Sequence, residues 1–223
     1  MINISCKDIV SAVNVNDANL LQVAIYDIHK PQQSCIMIYE KEPQPFFVAL
    51  KPVADYCNRK KLPLPLIITR EFIQYSTDSY PLEFIDIMTD YENLHVKEDL
   101  LAGLDIAAGD VRLQMERELK GKWLLTRLAG LEFASKPKHC ATIAKGSAMS
   151  ILPVLKGFFF LKQQTIPVDP LELIQQADAL TAFDMQPLNR IYTKAVKEID
   201  PAGIYAYIEM LSQLTRMMET WQL

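Results

Sequence analysis

SYPLEFIDIMTDYENLHV, Ser79 to Val96, sets Glu83, Asp86, Asp90 and Glu92 among apolar side chains, and how it folds decides the rest of the chain. Alternation within YPLEFIDIM, opened by Pro81, predicts a strand. Leu82, Phe84 and Asp86 would then fall on one face and Glu83, Ile85 and Ile87 on the other. Residues three apart on a strand point opposite ways, so only one of Glu83 and Asp86 can enter any one cleft. These two acids are the candidate catalytic residues of the segment.

Upstream, Ser5 is a plausible N-cap for a short helix reaching about Val13. LLQVAIYDI and SCIMIYE are rich in β-branched and aromatic residues and are separated by HKPQQ, where Pro31 suits a turn. The pair predicts a β-hairpin. Phe46, Phe47, Leu50, Val53, Ala54 and Cys57 recur at helical spacing between Pro45 and Lys61, with Pro52 kinking that helix or marking its start. KLPLPLIITREF begins with prolines that forbid a helix and continues as a short buried strand at Leu66, Ile67 and Ile68. Arg70 to Ser76 gives one or two helical turns.

Beyond Asp105 the pattern changes to long helices. Val111, Met115, Leu119, Leu124, Leu125, Leu128 and Leu131 recur at helical intervals in a helix expected over Asp110 to Ser135, with Arg112, Glu116, Arg117 and Lys120 between them. Pro137 starts a second helix to about Gln164, bent at Pro153, whose small residues permit close helix contact. Asp169-Pro170 and Asp200-Pro201 each place a capping acid before a proline whose missing amide costs nothing in the first turn. Another helix is expected around Gln186 to Ile199, for about five in all.

The chain has 223 residues, half of them apolar, enough for two units with their own cores. With 23 Lys and Arg against 27 Asp and Glu, and no long block of either sign, no nucleic-acid footprint is visible. The net charge of −4 speaks to solubility. Lys7 and Asp8 interrupt the place where a signal peptide would be apolar, and AMSILPVLKGFFFL is short and broken by Pro153 and Lys156, so the expectation is a cytoplasmic protein without a membrane segment. Cys6, Cys35, Cys57 and Cys140 form no C-x-x-C pair and fit reduced, buried thiols.

The order helix, hairpin, helix, strand, acidic strand, helices resembles bacterial nucleotidyltransferase-fold (polymerase-beta-like) proteins that carry a C-terminal helical domain. YPLEFIDI at Tyr80 to Ile87, then NLHVKEDLLAGLDI and VRLQMERELKGKWLL, carry that resemblance over roughly Leu62 to Leu128. It implies an α+β fold: a small mixed-sheet nucleotidyltransferase-like domain over residues 1–105, followed by an all-α antiparallel helical bundle over 106–223.

Such an enzyme needs a Gly-Ser loop whose amides approach the nucleotide phosphates and an acid pair on the next strand to hold Mg²⁺, completed by a third acid. In YDIHKPQQSCIMIYE the Gly-Ser is missing, and strand-to-strand alignment puts the acid pair at Gln33 to Cys35, where there is no carboxylate. Asp27 and Glu40 flank the hairpin but do not reproduce the motif, and Gly146-Ser147 belongs to helix packing. Glu83 or Asp86 could be the third acid.

Elsewhere, His29, His95 and His139 suit structural or surface roles; His139 and Cys140 are adjacent on a helix and diverge by about 100°, too far to share a proton readily. Phe158 to Phe160 suggest an interior helix, with contact to the first domain or a partner as the alternative. Met210, Leu211, Leu214, Met217, Met218 and Trp221 suggest core first and a dimer contact second. The expected function is a catalytically inactive binding or regulatory module, with no metal site and no cofactor. One alternative is an active Mg-dependent nucleotidyltransferase using displaced acids among Asp27, Glu40, Glu83 and Asp86; another is a structural oligomerisation protein. Expected partners are a second copy bound through the helical bundle, a protein or a nucleotide, with no membrane and no clear nucleic-acid site.

Overall fold

The computed structural model describes residues 6–29 and 33–221, and within them the chain is mixed α and β. Ser5 and Pro31, read from the sequence as a cap and a turn residue, lie outside the described residues. The chain divides into two compact units: residues 1–80 with 86–106, and residues 81–85 with 107–223.

The first unit is built on a four-stranded sheet. β1 (Leu20–Tyr26) and β2 (Ser34–Tyr39) form the expected antiparallel hairpin, in register from Tyr26 opposite Ser34 to Gln22 opposite Ile38, with a one-residue shift before Leu20 meets Tyr39. β3 (Leu66–Thr69) runs parallel to β2, and β4 (Tyr91–Val96) runs antiparallel to β1, giving the order β3-β2-β1-β4. β3 was expected to be buried, but as an edge strand it buries only Ile68.

One face of the hairpin carries Leu20, Val23, Ile25, Cys35, Met37 and Tyr39 into a core closed by Cys6 and Ile9 and by Val53, Tyr56 and Cys57. Cys6 precedes a 3-10 helix at Lys7–Ala12, which stands where a short helix was expected. Val53 to Cys57 belong to α2 (Lys51–Lys60). Pro52 does mark the start of that helix: α1 (Phe46–Ala49) is a separate turn, and its Phe47 and Val48 are exposed. α3 (Arg70–Gln74) is one short helix capped by Thr69, whose hydroxyl accepts from the Phe72 amide at 3.1 Å.

The largest departure from the sequence reading falls on YPLEFIDIM, which is a helix, α4 (Pro81–Thr89), and not a strand. Pro81 occupies the first turn, where its lack of an amide is harmless. The buried set Leu82, Phe84, Ile85 and Ile87 fits a helix embedded on several sides as well as it fits alternation. The strand comes later, at Tyr91–Val96.

Besides the first turn of α4 and a 3-10 turn at Val196–Glu198, the second unit contains six α-helices among its described residues: α5 (Ala108–Leu131), α6 (Pro137–Ser150), α7 (Leu152–Leu161), α8 (Pro170–Thr181), α9 (Gln186–Thr193) and α10 (Pro201–Thr220). The two Asp-Pro starts cap as expected. Asp169 accepts from the Leu171 and Glu172 amides at 3.0 and 2.9 Å, and Asp200 accepts from the Gly203 amide at 2.6 Å. α10 runs antiparallel to α5: Arg112 near the start of α5 donates to the Trp221 and Met218 carbonyls, while Gly130 near its end lies against Ile208.

Phe158 and Phe159 are buried, as an interior helix requires, and so are Met210, Leu211, Leu214 and Met218. Pro153 marks the joint between α6 and α7 at Ile151. The continuous run Pro137–Leu161 is long and apolar enough to cross a bilayer by length and composition, longer than the window read from the sequence, yet 56% of its apolar 18-residue window is buried within this fold. Gly146 does not serve helix contact, since a Cβ there would meet nothing. The close approach is at Gly157, where a Cβ would lie 2.7 Å from Met115 Sδ and 2.8 Å from Leu82 Cδ2.

Candidate functional site

The place to look for catalytic chemistry is the β2 start, where the resemblance puts the metal-binding pair. Gln33, just before β2, and Cys35 within it are both directed to the side occupied by Cys6. That side is already filled. Gln33 Oε1 accepts from the Cys6 amide at 3.2 Å, its Nε2 donates to the Ile28 carbonyl at 3.3 Å, and Cys6 Sγ donates to the Gln33 carbonyl at 3.4 Å. Cys35 is buried in the same core as Cys6 and Cys57, and its Sγ donates to the Ile36 carbonyl at 3.8 Å.

The chemistry of this core disfavours a cation. Burial pushes the Cys35 thiol strongly up, with Cys6 and Cys57 adding to the effect; Cys6 is raised by burial and by Cys57, and Cys57 by burial. Protonated thiols shielded from water are neither hard oxygen ligands nor nucleophiles. The residues present do not fit Mg²⁺. Among the described residues, no group of three or more His, Cys, Asp and Glu side chains is spaced to hold a metal ion.

The hairpin's acids are far apart. Tyr26 pairs with Ser34 at one end of β1 and Leu20 with Tyr39 at the other, which sets Asp27 and Glu40 about 20 Å apart along the strands. Asp27 has a positive φ of 59° just past β1. The Tyr26 phenol beside it is pushed up by burial and by the nearby Asp27 and Asp86 carboxylates, against a hydrogen bond from Ser34. Glu40 is taken by Arg70, which donates Nε to it at 2.8 Å and its two terminal nitrogens to the two Glu98 oxygens at 2.8 and 2.6 Å. This fork raises Arg70 and lowers Glu98.

Glu83 and Asp86 change meaning once α4 is a helix. Positions three apart on a helix lie about 60° apart, so the two acids share a face, contrary to the strand reading. Their partners differ. Glu83 accepts from Gln114 Nε2 at 2.7 Å, and Gln114 Oε1 accepts the Leu82 amide at 2.8 Å, which ties the first turn of α4 to α5. Asp86 groups with the sheet unit near Tyr26.

The histidines and the remaining cysteine are dispersed. His29 meets Asp90 through its amide at 3.3 Å and its ring at 3.9 Å. His95 lies on β4 opposite Val23, with Nε2 buried and without a hydrogen-bond partner among the described residues. His139 is exposed, whereas Cys140 is buried and donates to the Ala129 carbonyl at 2.7 Å, so the two do not form a catalytic pair. The Ser147 hydroxyl meets the Tyr207 phenol at 3.0 Å.

One polar cluster was not anticipated. Asp99, just after β4, accepts from Gln22 Nε2 at 2.8 Å, Asn93 Nδ2 at 2.7 Å, the Tyr91 hydroxyl at 3.1 Å, and the Leu101 and Ala102 amides at 3.2 and 3.1 Å. Gln22 is fully buried, and its Oε1 accepts the Leu100 amide at 2.9 Å. Burial pushes the Asp99 carboxyl up, but the Asn93, Gln22, Ala102 and Tyr91 donors outweigh it and hold the carboxyl below the usual range. A carboxylate has about four lone-pair sites, and these donors occupy them. Asp99 is therefore a knot that pins the loop after β4, with no oxygen left for a metal or for proton transfer.

Two architectures define the chain: a small mixed sheet and a helical unit. Compared with family models, with curated proteins and with solved structures, the chain matches none.

Proposed function

We propose that this chain is a nucleotidyltransferase-like protein that has lost catalysis and acts as a binding or regulatory module, its helical unit being an antiparallel bundle. The observation that carries this reading is the start of β2. The two positions that would hold the metal-binding acids are an amide tied to the Cys6 segment and a buried thiol in a core of three cysteines. The supporting observation is the separation of Asp27 from Glu40 and the engagement of Glu40 by Arg70. The four unpaired, buried thiols favour a reducing compartment such as the cytoplasm.

The test is a transfer assay with each nucleoside triphosphate in Mg²⁺ or Mn²⁺, reading nucleotide consumption and label on the protein. No metal-dependent turnover is expected. Turnover that disappears in Glu83→Gln/Asp86→Asn would overturn the reading and restore an active enzyme. A second reading, a structural protein that oligomerises, is favoured by a different observation, the exposed leucines of α5.

A further inference from the structure

We propose that the C-terminal half of α5, with the adjoining groove against α10, is the interface through which two copies of this chain form a two-fold dimer. Leu124, Leu125, Leu128 and Leu131 have the spacing of core residues, yet they are 57, 65, 64 and 80% exposed. The opposite face of the same helix buries Val111, Met115, Leu119, Thr126 and Ala129. The C-terminal half of α5 is apolar on both of these faces, and one of them lacks cover.

Beside the leucine ridge lies a groove of about 610 Å³ between α5 and α10. Trp123, Arg127 and Phe133 line one wall, and Ile208, Glu209 and Arg216 the other. Exposed Tyr205 stands within it. Ridge and groove on one patch is the shape a two-fold interface needs, because each copy's ridge meets the other's groove.

Charge and area point to the same occupant. Among the described residues no ion pair engages Arg127, Arg216 or Glu209; Arg127 instead stacks over Trp123 at 5.3 Å. Both signs are thus free on one patch, as self-recognition requires and as a uniformly charged partner would not. The four leucines and Tyr205, each more than half exposed, adjoin the groove on one continuous patch, and a stable interface takes roughly 800 Å² from each partner. Phe158 to Phe160 and the terminal methionines, for which a partner contact was only the second reading, are mostly in the core, as the first reading had them.

The inference stands apart from the lost-catalysis reading, and sedimentation equilibrium tests it without any nucleotide. The full chain is expected to dimerise. Leu124→Glu/Leu128→Glu should weaken the dimer about 100-fold or more, since each substitution enters a two-fold interface twice, with helical circular dichroism unchanged. If that variant loses its helical signal, Tyr205→Glu on α10 is read in its place and must show the same loss of dimer. A wild-type monomer even at high micromolar concentration would overturn the proposal and give the patch to another partner. So would a dimer that survives both variants or that is broken by Phe47→Glu on the sheet unit.

Discussion

Replacing Asp99 by Asn keeps the shape of the side chain but removes its charge and turns one acceptor into a donor. In the native sheet unit Gln22 Nε2 and Asn93 Nδ2 both point at this carboxylate, at 2.8 and 2.7 Å. The side-chain amide that Asp99→Asn introduces would confront at least one of them with another N–H group. Hydrogen bonds to a charged group contribute about 1.5–3 kcal/mol, and stranding a buried donor costs about 1–3 kcal/mol. Gln22 is fully buried and water cannot easily replace its partner, so Asp99→Asn should destabilise the sheet unit by about 2–4 kcal/mol.

The pH dependence has a definite sign. A carboxyl whose folded pKa is depressed adds stability that is fully present above its unfolded pKa, about 3.9, and is lost as pH falls through the lower folded value. The gap between wild type and variant should therefore be widest near neutral pH and close in acid. Urea unfolding followed by far-ultraviolet circular dichroism gives the size of the loss. Hydrogen exchange at the Leu101 and Ala102 amides, which donate to Asp99, locates it. A variant within about 0.5 kcal/mol of wild type at neutral pH, the range of an ordinary surface change, with unaltered protection at those amides, would refute the knot.

Three further outcomes follow from the packing. Lys145 Nζ donates to the Ile191, Tyr192 and Lys194 carbonyls at the end of α9, and burial pushes its pKa down; Lys145→Met should cost about 1–3 kcal/mol and loosen exchange protection near Thr193. Gly157→Val should cost about 1–3 kcal/mol by thermal or urea unfolding despite the better helix propensity of valine, because its Cβ alone would press on Met115 and Leu82; a neutral result would show that those side chains yield freely. All four cysteines should resist iodoacetamide in the native protein at neutral pH and react in urea, as mass spectrometry can count; rapid native labelling of Cys6, Cys35 or Cys57 would contradict the closed thiol core.

Local signals in the sequence were read well where the physics is local. Asp169-Pro170 and Asp200-Pro201 announced their helices because capping depends on neighbouring amides, and the hairpin followed from two β-rich runs around a turn. YPLEFIDIM misled because its short apolar run satisfies both periods, and Pro81 opens a helix as readily as a strand. That error reversed the relation of Glu83 to Asp86.

The leucines of α5 obeyed a true helical period, but period does not say which apolar face finds a neighbour. The Asp99 knot and the gathering of Cys6, Cys35 and Cys57 were out of reach for another reason. Gln22 is remote from Asp99 in the chain, and Cys6, Cys35 and Cys57 come from a loop, a strand and a helix, so only the tertiary fold brings them together.

Manganese binding tests most directly whether the β2 start has been given over to a thiol core. Electron paramagnetic resonance of Mn²⁺ titrated with the protein, with and without a non-hydrolysable ATP analogue, reports a protein-held ion without needing an acceptor substrate. The expected spectrum is that of Mn²⁺ free or held by nucleotide alone. A stoichiometric protein-bound signal, removed by Glu83→Gln/Asp86→Asn, would contradict the proposal that this chain holds no working metal site.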